Sequence, residues 1–247
     1  MFPIRDHNPR GGFPVVTLCL IGLNVTIYFA SLPITAEPAA YAAFLHDYAL
    51  FPNRVSDGRG LLGLVSSMFV HGGFMHLAGN MLFLWIFGDN LEDSFGRIKF
   101  AAFYLLSGIG AGLIHVVAAP ASGVPTVGAS GAIAGVLGGY LLQFPRAKVD
   151  VLLIFVVFFR VFTVPAWVML GLWFALQLLN GSASSAEEGG VAYWAHAGGF
   201  VVGFLLTLPY FLAKGGPGYW GATKGKPPHP EADYRFVKSQ IPRVRRR

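Results

Sequence analysis

Charge is what this chain has least of. Only 12% of its 247 residues are Asp, Glu, Lys or Arg, about half the share found in soluble domains. Residues 11–36, 100–145, 161–186 and 189–213 hold no charged side chain at all. A bilayer span needs roughly 20 mostly apolar residues, so these gaps exclude an ordinary soluble domain. Cysteine is nearly absent too. Cys19 stands alone, which excludes an internal disulfide and a cysteine metal cluster. There is no H-E-x-x-H pattern, so no metal or cofactor is expected. An obvious internal repeat and an intramembrane Asp or Glu, which would favour a transporter, are also missing.

What is present is apolar surface. The chain is 54% hydrophobic, with a mean hydropathy of +0.57. The first apolar stretch, Pro14 to Leu32, is long enough to span and lacks a clear cleavage site after it. It reads as a retained helix rather than a signal peptide. Six spans are expected, at about 14–33, 74–90, 99–118, 128–144, 164–180 and 191–212. The predicted fold is therefore all-α, a polytopic six-helix bundle over 14–212, with a short N-terminal segment, 1–13, before it. Pro165 suits the N-terminus of the fifth helix. Residues 34–73 read as a long loop with short amphipathic segments. The apolar stretch 151–162 fits either a membrane-surface loop or the start of a span. Residues 213–247 are rich in Pro, Gly and basic residues and read as a disordered tail.

Lys and Arg orient the bundle. Arg5, Arg10, Arg97, Lys99, Arg146, Lys148, Arg160 and nine residues of the tail fall on one side, while the other side has Arg54 and Arg59. The positive-inside bias puts both termini in the cytoplasm, and the expected location is a bacterial inner membrane. The net charge of +6 comes largely from the tail. Such a tail reads as a topology signal or lipid contact rather than a nucleic-acid site.

Polar residues at membrane depth need a reason. Helix 2 carries His76 and Asn80, spaced i,i+4 and so on one face. Helix 4 carries Ser130 in its first turn, and helix 6 carries His196 near its start. All three positions fall near the outer ends of their helices. Serine needs a base to become a nucleophile, and a histidine in reach supplies one. Acyl transfer also needs donors aimed at the developing oxyanion, a role open to Asn80, to His76 and to the Ser130 N–H in the first turn of its helix. Gly131 and Gly135 on helix 4, with Gly199 and Gly203 on helix 6, form small faces that let two backbones approach closely. Close packing there would bring His196 to Ser130. Taken singly, Ser130 reads as helix glue and His76 with Asn80 as an interhelical pair. His71 reads as a loop residue, His115 as structural, and Glu187 with Glu188 as a solvated loop. The joint occurrence at one depth favours chemistry.

Three stretches carry a resemblance: HGGFMHLAGNMLFLWIFGDNLEDSFG at 71–96, GASGAIAG at 128–135 and AHAGGFVVG at 195–203. In this order, H-x-x-x-N, G-x-S-G and A-H-x-x-G resemble the rhomboid proteases. The resemblance implies a six-helix fold with a serine–histidine dyad below the outer membrane surface. It implies cleavage of membrane-anchored protein substrates in or near their transmembrane segments, with Ser130 as nucleophile and His196 as general base. Asn80 and His76 would join the oxyanion hole, and Glu92 and Gly96 would be structural. Helix 5 and the loop at 180–190 would form a gate and cap. Some members have a Trp-Arg pair in the first loop, where 34–73 here contains no Trp. Some have a tyrosine stacked on the catalytic histidine at the position held here by Ala134. The sequence does not name the side chain that orients His196.

Overall fold

The computed structural model describes residues 2–9, 11–155, 158–183, 192–232 and 234. Glu187 and Glu188, in the expected cap loop, lie outside the described residues. The fold is mostly helical, and six long helices follow the expected spans: α1 (Val15–Thr35), α5 (Phe74–Phe95), α6 (Arg97–Ala118), α7 (Ser130–Gln143), α8 (Ala166–Ala183) and α9 (Tyr193–Ala213). The first loop is built from α2 (Pro38–Tyr48), α3 (Pro52–Ser56), α4 (Gly63–Ser66) and a 3-10 turn at Ser67–Phe69. Four of the helices, α1, α6, α8 and α9, are long and apolar enough to cross a membrane, and the bent pair Gly63–Phe69 and Phe74–Phe95 makes up to five. Helix α7 falls short of that measure for a physical reason. Its 14 residues rise about 21 Å, against a hydrocarbon core of about 30 Å.

The missing length of α7 is supplied by extended chain. Leu50 and Thr126 exchange backbone hydrogen bonds at 3.0 and 2.8 Å, and the Gly128 N–H donates to the Ser67 carbonyl at 2.9 Å. Buried backbone groups must be paired, and these bonds let the segment before Ser130 run inward without a helix. Gly128 has φ +122°, a conformation that favours glycine. The helix therefore begins inside the protein, with Ala129, Ala132 and Ala134 essentially buried.

Helix α5 runs to Phe95, beyond the expected end, so Asp89 and Glu92 lie on its last turns. Gly96, with φ +80°, turns the chain into α6. Glu92 is buried and reaches across to the start of α1, where it accepts hydrogen bonds from the N–H groups of Val16 at 2.9 Å and Thr17 at 2.8 Å and from the Thr17 hydroxyl at 2.9 Å. A helix start has unpaired N–H groups and a positive dipole end. A carboxylate from another helix satisfies both.

Three strands were not expected. β1 (Phe2–Asp6), β2 (Lys148–Phe155) and β3 (Phe158–Pro165) form an antiparallel sheet in that order. The apolar run at 151–162 is rich in β-branched and aromatic residues, which suit strands. Lys148 pairs with Pro165 and Phe155 with Phe158, so Pro165 ends a strand immediately before α8. Asp150 ties the sheet together, accepting from Arg5 at 2.7 Å and Thr163 at 2.6 Å, and meeting His7 at 3.0 Å. The tail also differs from its expectation. A helix α10 (Pro217–Thr223) forms, the Trp220 indole donates to the Leu142 carbonyl at 2.9 Å, and the Ala232 N–H donates to the His7 carbonyl at 3.1 Å. Glu231 sits between Lys148 and Lys226. The N-terminal strand, strands β2 and β3 and the first part of the tail thus share one end of the bundle.

Candidate active site

Helices α7 and α9 bring Ser130 and His196 together. A Cβ placed on Gly199 or on Gly203 would collide with the backbone of Gly131 or Gly135, and one on Gly138 would collide with the Phe200 carbonyl. Only glycine lets the helices lie this close. At the other side of α7, a Cβ on Gly131 would sit 2.8 Å from that of Ala111 on α6. The four glycines singled out from the sequence all lie in this packing. Across the seam, Ser130 Oγ and His196 Nε2 are 2.7 Å apart, within the range needed for direct proton transfer.

The other ring nitrogen has a partner on α8. His196 Nδ1 lies 2.8 Å from Gln177 Oε1. The Trp173 ring lies over the imidazole, with centroids 5.9 Å apart and planes 31° from parallel. Neither Gln177 nor Trp173 stood out in the sequence. A glutamine in an apolar helix carries no motif. The one available signal was their i,i+4 spacing, which places them on one face.

His76 and Asn80 face the same space from α5. A Cβ on Gly128 would lie 2.7 Å from His76 Nε2 and 3.7 Å from Ser130 Oγ, so the imidazole and the hydroxyl flank one small gap. Asn80 lies a turn further along, its Nδ2 donating to the His76 carbonyl at 2.9 Å. The amide has a second N–H to offer the cavity. His71 is more than a loop residue. It is 4% exposed, its ring meets that of His76 edge-on at 5.1 Å, and its Nε2 faces the Ala129 N–H at 3.5 Å. It props both the His76 ring and the chain leading into Ser130. His115 has a structural partner, with Nε2 3.1 Å from Thr126 Oγ1.

These groups line one cavity of about 1030 Å³, which holds His76, Asn80, Ser130 and His196 together with Phe83, Ile133, Ala134, Leu137 and Trp173. Its walls are apolar around a few convergent polar groups, the usual make-up of a ligand site. A nucleophile with a base in contact, donors across a gap and a mostly apolar groove is an arrangement suited to acyl transfer.

Residues 58–213 match a rhomboid domain. The chain is 33% identical over 201 residues to Rhomboid protein 1, mitochondrial, of Saccharomyces cerevisiae, covering 79% of this chain and 52% of that protein. It is 35% identical over 227 residues to RHOMBOID-like protein 4 of Arabidopsis thaliana, covering 80% and 52%. It is 28% identical over 214 residues to Rhomboid protease AarA of Providencia stuartii, covering 81% and 74%. The chain spans about half the length of the first two. Mitochondrial names recur among these relatives, so the expected bacterial inner membrane has no support from them and is set aside.

Proposed function

The chain belongs to the rhomboid family, and from that premise we propose that it is an intramembrane serine endopeptidase. Its substrates are membrane-anchored proteins cut in or near their transmembrane segments. Helix α7 completes a six-span bundle, with the sheet and the tail on the positively charged, cytoplasmic side and the cavity toward the opposite face. The carrying observation is the 2.7 Å contact between Ser130 Oγ and His196 Nε2 in an apolar cavity.

The chemistry follows from the donors and acceptors. His196 Nε2 takes the Ser130 proton as Oγ attacks the scissile carbonyl. Negative charge then develops on the carbonyl oxygen in the gap beside Gly128, where the Ser130 N–H, the Asn80 amide and the His76 ring can stabilise it. His196 returns the proton to the leaving amine, which departs and leaves an acyl-enzyme. Water attacks the ester with His196 as base, and Ser130 is regenerated. Apolar walls suit a substrate whose flanking residues are themselves apolar.

The test combines a fluorophosphonate probe with cleavage of single-span substrates in proteoliposomes. Wild type should label and cleave. Ser130→Ala and His196→Ala should do neither while remaining folded. Substrate binding without labelling or cleavage in wild type would instead mark a client-binding relative of the same fold.

A further inference from the structure

We infer that Gln177 is the positioning residue for His196, fixing the tautomer in which Nε2 is free to accept the Ser130 proton. The inference rests on the dyad reading above. Its evidence is a chain of hydrogen bonds with one self-consistent direction. Gln177 Nε2 lies 3.3 Å from the Trp173 carbonyl, an acceptor with no hydrogen to give. The amide NH₂ must therefore face that carbonyl, which leaves Oε1 facing His196 Nδ1 at 2.8 Å. A flipped amide would set oxygen against oxygen. Oε1 is an acceptor only, so Nδ1 carries the hydrogen, and in a neutral imidazole Nε2 then carries none. The Ser130 hydroxyl, 2.7 Å from Nε2, donates to it. Each link aims the next.

Burial makes the link exclusive. Gln177 is 7% exposed, so water does not readily replace it, and a buried Nδ1–H left without an acceptor would be destabilised. The nearest aromatic ring to the imidazole is Trp173, with centroids 5.9 Å apart. Ala134 has no ring to offer the imidazole, and the neighbouring ring and the Nδ1 partner, Trp173 and Gln177, both come from α8. Gln177 touches no reacting atom. Its effect passes through His196.

The experiment compares wild type, Gln177→Met, Gln177→Glu and Ser130→Ala, all full length. It follows the fluorophosphonate labelling rate, and kcat and KM for a single-span substrate, against pH. Methionine keeps the length of the side chain but removes the amide and offers no strong acceptor. It should lower kcat about 10- to 100-fold with little change in KM. That is less than the roughly 10⁴-fold loss when a triad is locked in the wrong tautomer, because methionine imposes neither tautomer. Glutamate keeps an acceptor facing Nδ1 but replaces the NH₂ that meets the Trp173 carbonyl with an oxygen. It should retain more kcat than methionine, and its charge, which favours the imidazolium, should move the acid limb of the profile to higher pH. His76, and His115 beside Thr126, also neighbour His196, and Gln177→Met, which adds no charge, serves as the reference for their part in the acid limb. Wild-type kcat in Gln177→Met would overturn the inference. So would equal losses in both variants with an unmoved acid limb, the pattern of a packing role. Failure of wild type to label beyond Ser130→Ala would overturn the dyad reading itself.

Discussion

Against α7, helix α9 packs backbone to backbone. Against α8 it packs ring to ring: Phe174 stacks on Phe200 at 4.6 Å, and Trp173 sits 6.2 Å from Phe200 and 5.9 Å from His196. The two seams meet at one imidazole. The glycine seam has no side chain that can adjust, so it fixes how far the Cα of residue 196 lies from that of residue 130. The aromatic seam has rotatable side chains and one hydrogen bond, so it fixes how the ring is turned. Distance and orientation are separate requirements of the proposed dyad, and the two seams meet them with different chemistry on adjoining faces of α9.

The largest effect should come from breaking the glycine seam. Gly199→Leu places a side chain where even a Cβ meets the Gly131 carbonyl. Overpacking of a tight contact destabilises by about 1–3 kcal/mol, and a displacement near 1 Å already lowers rates about a hundredfold. Labelling and cleavage should both vanish, with a lower melting temperature, although neither catalytic group is touched. Gly199→Ala should be nearly as damaging, because the obstacle is backbone and cannot move aside. Wild-type cleavage by the leucine variant would sink the claim that this seam sets the dyad distance.

A smaller effect is expected at Asn80, which belongs to neither seam. The comparison becomes sharper if a residue facing the cavity alters chemistry without altering packing. Asn80→Ala removes one candidate oxyanion donor. Such a loss typically lowers kcat by about 10²–10³. Here His76 and the Ser130 N–H remain, so the decrease should be about tenfold to a hundredfold, with KM and melting temperature close to wild type. Unchanged kcat with weakened binding would assign Asn80 to substrate contact or structure.

Legibility divides along similar lines. The glycine seam could be read from the chain because small residues at i,i+4 leave a periodic trace, and Ser130 and His196 could be read beside it. The aromatic seam left no such trace: Trp173 and Phe174 look like lipid-facing residues, and Gln177 looks like a tolerated polar residue. The bundle was legible from its uncharged runs. The hairpin was not, because the stretch at 151–162, eleven apolar residues and Arg160, is too short to discriminate a strand pair from part of a span. The partner strand, Phe2–Asp6, lies about 145 positions away, and no local pattern announces such pairing. The ordering of the tail to Ala232 likewise depends on docking under the bundle, which composition does not report.

The smallest effect concerns the opposite end of α7, and it tests whether that end is separable from the dyad. Tyr140 is fully buried on α7, and its hydroxyl donates to Asp6 Oδ2 at 2.7 Å. Burial pushes the Asp6 carboxyl up to about 7, against the opposing pull of the Tyr140 hydrogen bond and with a further push from the Asp89 carboxylate. The folded value is above the unfolded one, so between about pH 4 and pH 7 the folded state holds the proton more tightly. This contribution to stability is fully present below the lower value and is lost as pH rises through the upper one. Wild type should therefore lose melting temperature across that window relative to Asp6→Asn, and the gap should close near pH 4. Labelling rates of the two proteins should stay within about twofold at every pH, because the seam between α7 and α9, not the Asp6–Tyr140 tether, places Ser130. If the Asp6→Asn dyad reacted with a shifted pH profile, the two ends of α7 would be coupled, and the division between distance-setting and orienting contacts would have to include the sheet.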